Sequence, residues 1–396
     1  MKIAVLGVDD QVLRLVRAIA DSDEHRVVSV CDAATHAVEV RRLAPHADFD
    51  DGWESLLLGS VADAVIVGRT GSDAEREDRL RKLIQEGVTV LASHPIDDSV
   101  LTYFELEMLR EEHGGILRAN LPLRRIPAIA QLAEMIRDGA DSPVGRTEQI
   151  TIERSIEDRS PERIRQQFAT DIDILRALVG EVERVGALGG ARDDSAYQHL
   201  AVQLNGPSGI PARWTVVQPR EADLRLTLVG ATGTAVLALS DDESLWQLTI
   251  SGDGTPPVET SGGWNYPAAS LEALTDEIAG ESSPPDWKDA ARSVDLTEAV
   301  QRSIVRGRTI ERSGSEGTEA STFKGVMASV GCGVIFLGIG ILLLAAFSEF
   351  VARLIGLKGV ADVIGSAMPA LLLLLLGSFL VIQLLRYLIP SDDDSN

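Results

Sequence analysis

The sequence predicts an α/β domain with a parallel sheet over residues 1–120, an α+β domain with a mainly antiparallel sheet over 121–310, and two transmembrane helices near the end of the chain. Three observations predict this. Short apolar strands alternate with helical stretches in the first part, a spacing that gives a parallel sheet covered on both faces. Strand-like runs then follow one another with few helices between them, which gives an antiparallel sheet. Two long uncharged apolar runs, 326–347 and 364–385, are each long enough to cross a hydrocarbon core of about 30 Å as a helix.

The elements follow in order. Lys2-Ile3-Ala4-Val5-Leu6-Gly7 is a strand ending in glycine, the start of a Rossmann-like domain. A helix over 11–20 places Val12, Leu15, Val16 and Ile19 at helical spacing. Strands are predicted at 26–31, 62–67, 88–91 and 115–120, with helices at 74–86 and 99–113. In the second domain, helices are predicted at 126–137, 171–178 and 296–305. Strands are predicted at 149–153, 199–204, 213–217, 224–228, 234–239 and 246–250, with a hairpin turn at 230–233. Residues 311–324 have the composition of a flexible linker, 325–386 form the transmembrane hairpin, and 387–396 are an acidic tail.

A formal charge of -23 argues against nucleic-acid binding, which needs a basic surface. The two cysteines, Cys31 and Cys332, imply no disulfide framework. His25, His36, His46, His113 and His199 lack metal-ligand spacing, so no metal is expected. The N-terminus enters a strand at once without an apolar signal region. Arg306, Arg308, Arg312 and Lys324 precede the first apolar run and Arg386 follows the second, against Arg353 and Lys358 between them. The positive-inside rule therefore places the hairpin in the cell membrane with the soluble domains facing the cytoplasm. The expected partners are the lipid bilayer, a sugar-like small molecule, and a second copy of the chain or a larger membrane complex.

The turn after the first strand departs from a dinucleotide fingerprint. Such a turn uses one glycine for the tight bend, a second for close approach to the pyrophosphate and a third for helix–strand packing. Gly7 fills the first place, but Asp9 and Val12 stand in the other two. Asp9 or Asp10 is a good N-cap, and a cap takes the N–H groups that would bind phosphate. Two carboxylates about 4 Å apart repel by roughly 4 kcal/mol at an effective dielectric near 20. Asp32, ending the second strand, either binds a ribose 2′-hydroxyl, which would favour NAD, or is a polar residue closing a strand at the surface.

Other landmarks resemble the Gfo/Idh/MocA family of glucose–fructose oxidoreductase and inositol dehydrogenase. Asp171-Ile172-Asp173-Ile174-Leu175-Arg176-Ala177-Leu178-Val179-Gly180, with the trailing Val185-Gly186-Ala187-Leu188-Gly189-Gly190, is similar to its helix after the substrate-site histidine. Arg124-Arg125-Ile126-Pro127 resembles the start of its second domain, and Glu298-Ala299, Ser303 and Gly307-Arg308 resemble its closing helix. The resemblance covers about 1–310 and implies hydride transfer between a nicotinamide and a hydroxyl-bearing carbon of a sugar or cyclitol. In that family a Glu-Lys-Pro lysine tunes the proton relay, and a histidine three residues before an aspartate is the acid/base. Here the first motif reads Ser93-His94-Pro95 and the second Thr170-Asp171-Ile172-Asp173, so only Asp173 is kept. Gly68-Arg69-Thr70-Gly71 replaces the family's threonine–proline–asparagine turn.

Thr170 does not ionise near neutrality and cannot act as a general base. His94 can, with an unperturbed pKa of about 6.5, and Asp173 is the carboxylate that would orient it. The plainer readings make His94-Pro95 a strand-end turn and Asp173 a first-turn helix carboxylate favoured by the dipole. The sequence thus points to a membrane-anchored binding or scaffold module with an eroded NAD and catalytic site, Gly7 and Asp32 being what remains of the cofactor site. The alternative is an active NAD-dependent oxidoreductase that uses His94 and Asp173 on a sugar, cyclitol or envelope precursor.

Overall fold

The structure is a computed structural model that describes residues 1–50, 52–58, 62–189, 199–218, 222–240, 244–254, 256–281 and 284–311. The expected hairpin, acidic tail and Cys332 lie outside the described residues, as does all of the linker except Glu311. Among the described residues no helix is long and apolar enough to cross a membrane.

The first part contains β1 (Lys2–Leu6), α1 (Asp10–Ala20), β2 (Arg26–Cys31), α2 (Ala37–Leu43), β3 (Asp48–Asp50), β4 (Ala64–Val67), α3 (Asp73–Gln85), β5 (Val90–Ala92), α4 (Val100–His113) and β6 (Leu117–Ala119). The six strands pair in the order β3-β2-β1-β4-β5-β6, all parallel. This is the doubly wound order, with its switch point between β1 and β4. The central strands are apolar because both faces are covered: Ala64, Val65, Ile66 and Val67 are all buried. α3 begins with a capping box in which Ser72 and Glu75 satisfy each other's backbone N–H groups. β4, β5 and β6 are each shorter than or displaced from the stretches 62–67, 88–91 and 115–120. Just outside them, the Thr89 and Ile116 carbonyls still accept from the Val65 and Val90 N–H groups of the neighbouring strands.

The second part contains α5 (Pro127–Asp138), β7 (Thr147–Ser155), α6 (Pro161–Val179), β8 (Arg184–Gly189), β9 (Leu200–Asn205), β10 (Ala212–Val217), β11 (Leu224–Gly230), β12 (Gly233–Leu239), β13 (Leu245–Gly252), β14 (Val258–Gly263), α7 (Tyr266–Ile278), α8 (Trp287–Arg306) and β15 (Ile310–Glu311). The sheet order is β14-β13-β12-β11-β7-β10-β9-β8-β15, antiparallel throughout except β7 with β10. Gly230 and Gly233 bracket the β11–β12 hairpin turn. One face buries Ile150, Ile152, Trp214, Leu226 and Leu237 against Ile164, Phe168, Ile172 and Leu175 of α6.

Several expectations change: α7 was not expected, and the helix predicted at 296–305 begins at Trp287. The helix predicted at 171–178 begins ten residues earlier: Pro161 occupies its first turn and the Ser160 hydroxyl accepts from the Arg163 N–H at 3.4 Å. Asp173 therefore sits deep in α6, and the favourable first-turn dipole does not reach it. The 1–120 domain also does not close its own core. Leu271 and Leu274 of α7 pack with α1 and β1, and Trp287, Ala290, Ala291 and Val294 of α8 pack on the other face of the same sheet. The helices that complete the first layer thus come from the end of the second part, and both parts lie within one compact unit.

Candidate functional site

The C-terminal ends of β1, β4 and β5 converge at the switch point, where a doubly wound sheet opens a crevice. Gly7 follows β1 with φ +76°, and a Cβ there would lie 2.2 Å from the Thr70 hydroxyl oxygen. A Cβ at Gly68 would lie 2.6 Å from the Gly7 carbonyl oxygen. The two loops therefore pack directly against each other, and both glycines are needed for that contact. Asp9 rather than Asp10 caps α1. One of its carboxylate oxygens accepts from the Val12 N–H at 2.8 Å and the other from the Arg69 N–H at 2.7 Å. Asp10 stands in solvent at 81% side-chain exposure, 3.8 Å from the His36 ring, so the two carboxylates serve different surroundings. Gln11 spans the crevice: its amide donates to the His94 carbonyl at 2.8 Å and accepts from the His94 N–H at 3.2 Å.

Asp32 follows β2 with φ +55°. Its carboxylate accepts from the Arg79 guanidinium at 2.8 Å and from the Thr70 hydroxyl at 3.3 Å. It stays half exposed at the mouth of the crevice, tied to α3.

His94 is buried against α6, and both ring nitrogens are engaged. Nε2 lies 3.2 Å from the Ala169 carbonyl, so it carries the proton and donates. Nδ1 lies 3.3 Å from the Tyr103 hydroxyl, which accepts from the Ile96 N–H at 2.9 Å and therefore donates to the ring. Burial pushes the His94 pKa down to about 3, helped by the Arg69 charge and only partly opposed by the Ala169 carbonyl. Burial likewise pushes the Tyr103 hydroxyl up. His94 is a neutral ring within a satisfied chain of hydrogen bonds.

Asp173 faces elsewhere. Its carboxylate takes both ends of the Arg124 fork and lies 3.8 Å from Arg176, and Arg124 and Arg176 in turn hold Asp289 of α8 at 3.1 Å each. Burial pushes the Asp173 pKa up to about 6 despite Arg124, while Asp289, more open and facing the same two arginines, is held below the usual carboxylate range. The expected orientation of His94 by Asp173 is not found. Asp173 ties together the segment before α5, α6 and α8. Asp171, on the same helix, is fully buried and accepts from Arg154, from the Trp214 indole at 2.8 Å and from Gln167 at 3.2 Å.

Between the crevice and α6 lies a cleft of about 170 Å³ lined by Gln11, Arg69, Ser93, Arg163, Gln166 and Thr170, with Asp9, Asp10, His94, Pro95 and Gln167 around them. Arg69 is held by the Pro95 carbonyl at 3.0 Å and Asp98 at 2.9 Å. Of these residues the sequence had singled out Asp9, Asp10, His94 and Thr170. The other α6 contributors, Arg163, Gln166 and Gln167, escaped notice because the start of that helix did. The Ser160-Pro161 pair is the signal that could have found it. Among the described residues no cluster of three or more His, Cys, Asp or Glu is placed to hold a metal ion.

No family model matches the sequence, and no curated protein sequence matches it significantly. Solved structures do match its fold. An oxidoreductase from Desulfitobacterium hafniense superposes with a TM-score of 0.68 at 16% identity, over 78% of this chain and 97% of its own. An oxidoreductase from Agrobacterium radiobacter, solved with NAD+, gives 0.65 at 14%, over 78% and 98%. A myo-inositol dehydrogenase from Corynebacterium glutamicum gives 0.60 at 17%, over 80% and 99%. This chain has the Gfo/Idh/MocA oxidoreductase fold. The likeness settles the architecture, and what the cleft does has to be argued from its residues.

Proposed function

We propose that this protein is a membrane-anchored binding module built on an oxidoreductase fold, with a cleft that takes a small polar molecule and no dinucleotide. The observation that carries this is Asp9. Its carboxylate holds the Val12 and Arg69 N–H groups, the kind of donors an incoming pyrophosphate would need, and adds a negative charge beside them. Gln11 bridges the crevice beyond it. The anchor is the pair of apolar runs 326–347 and 364–385, whose flanking charges favour cytoplasmic termini. The open face of the antiparallel sheet suits a second copy of the chain or a membrane partner.

Titration of the full chain in detergent with NAD and NADP, followed by calorimetry, tests this. No saturation below millimolar concentration is expected, and Asp9→Gly should strengthen binding. Micromolar binding by the unaltered chain overturns the reading. Extraction of the chain from membranes by alkaline carbonate would overturn the anchor.

A second reading, an active NAD-dependent oxidoreductase acting on a sugar, cyclitol or envelope precursor, is favoured by the neighbour solved with NAD+ and by Asp32 at the end of β2. His94 would then have to exchange its bond to Ala169 or Tyr103 for the substrate hydroxyl. Sugar-dependent NADH formation, reduced on the order of 10²–10⁴-fold by His94→Ala, is what this reading requires.

A further inference from the structure

We infer that the cleft between Ser93 and the first turns of α6 binds a small polyhydroxylated carboxylate, such as a sugar acid, without a cofactor. This deepens the binding-module reading and rests on it. Ser93 follows β5 and is only 4% exposed, yet its hydroxyl oxygen has no hydrogen-bond partner while it lines the cleft. A buried hydroxyl left unpaired is costly, so its presence at a cavity points to a polar occupant.

The opposite wall offers a matching set. Arg163 lines the cleft, and its guanidinium makes no side-chain hydrogen bond and no ion pair within 4 Å among the described residues, its charge being felt by the exposed Asp158. Its planar fork of N–H donors fits the two oxygens of a carboxylate. Gln166 and Gln167 use their amide N–H groups on Glu162 at 3.1 Å and Asp171 at 3.2 Å, which leaves their carbonyl oxygens as acceptors. Thr170 donates to the Gln166 backbone carbonyl at 3.1 Å, so its oxygen too can accept. One free cationic fork, one free hydroxyl and several acceptors describe a ligand with a carboxylate and several hydroxyls.

Charge narrows the class. Arg69 is committed to Asp98, and Asp9 and Asp10 add two carboxylates to the lining. A dianionic phosphate would meet this negative rim with a single unpaired cation to oppose it, whereas a carboxylate brings one delocalised charge. The lining has no Phe, Tyr or Trp on which a base or nicotinamide could stack.

The test is calorimetry on the full chain in detergent with D-gluconate, D-sorbitol and inorganic phosphate, each without and with NAD. Gluconate is expected to bind without NAD, at least tenfold tighter than sorbitol or phosphate. Arg163→Gln should weaken gluconate about tenfold and leave sorbitol unchanged, and Ser93→Ala should weaken both polyols. Equal binding of gluconate and sorbitol, indifference to Arg163→Gln, or no binding at all overturns the inference and means that Ser93 is met by water. The NAD titration taken alone tests the binding-module reading. Gluconate binding that appears only with NAD would overturn both.

Discussion

The wall of the cleft built by the parallel-sheet domain ties most of its polar groups to one another, whereas the wall built by α6 leaves several of them free. On the first wall Asp9 holds two N–H groups, Gln11 clasps the backbone of His94, and His94 is fixed between Tyr103 and Ala169. Ser93 stands out there as a buried hydroxyl without a partner. On the second, Arg163, Gln166 and Thr170 retain donors or acceptors, while the same helix is anchored by Asp171 and Asp173 on its flanks and by Ile164, Phe168, Ile172 and Leu175 in the core. The difference teaches that one wall of a cleft can satisfy its donors within the chain while the facing helix keeps polar groups available, because the position of that helix is fixed by its buried core side and its flanking ion pairs.

That anchoring is the place where the comparison breaks most severely. Asp171→Ala takes from the buried Arg154 the buried carboxylate that accepts two of its N–H groups, and it removes the acceptor of the Trp214 indole N–H. We expect a loss of about 3–5 kcal/mol, the usual cost of removing one member of a buried ion pair, read from urea unfolding. Both walls of the cleft should be lost together.

The second prediction sharpens the contrast through pH. In the unfolded chain a histidine takes up its proton near pH 6.5, whereas folded His94 holds none until about pH 3. The unfolded state binds more protons in that window, so the His94 contribution is fully present above pH 6.5. It is lost at up to about 1.4 kcal/mol per unit as the pH falls. Asp173 acts with the opposite sign. Its folded pKa of about 6 lies above the unfolded value, so the folded state holds the extra proton and stability from this group falls as pH rises from about 4 to 6. Unfolding midpoints measured across pH 4–7 should show His94→Gln removing loss on the acid side and Asp173→Asn removing loss toward neutrality. Parallel curves for either variant and the unaltered chain would contradict these environments.

The smallest effects compare the walls directly. Asp9→Ala removes a helix cap and the clasp on Arg69, and should cost about 0.5–2 kcal/mol in thermal or urea unfolding. Arg163→Ala, which removes an exposed side chain with no side-chain hydrogen bond among the described residues, should change stability by less than about 0.5 kcal/mol. A large cost for Arg163→Ala would mean that the α6 wall is as self-committed as the other.

Much of the fold was legible from local pattern. The alternation of strands and helices through residue 120 and the hairpin at Gly230 and Gly233 both follow from period and turn chemistry, which act between near neighbours. Part of the site was legible as well: Gly7 with its positive φ, and a carboxylate capping α1. The start of α6 was missed because the Asp171 to Gly180 stretch drew attention away from Ser160-Pro161, and with it went Arg163, Gln166 and Gln167. α7 was also missed, since its apolar face is matched to a sheet more than 200 residues earlier in the chain.

By itself, then, the sequence determined which residue types stand at the ends of its elements: Asp9 after the first-strand glycine, His94 before a proline and Thr170 before the Asp171 to Gly180 stretch. It could not decide what those residues do, because a side chain's role depends on partners that only folding supplies. His94 is a neutral buried ring because Tyr103 and Ala169 arrive on its two nitrogens from α4 and α6. Asp173 is a structural hub because Arg124 reaches it from 49 positions away. The α7 and α8 helices complete the first sheet because its apolar faces must be covered, and a helix from anywhere in the chain can do so. Hydrophobic burial is indifferent to sequence distance.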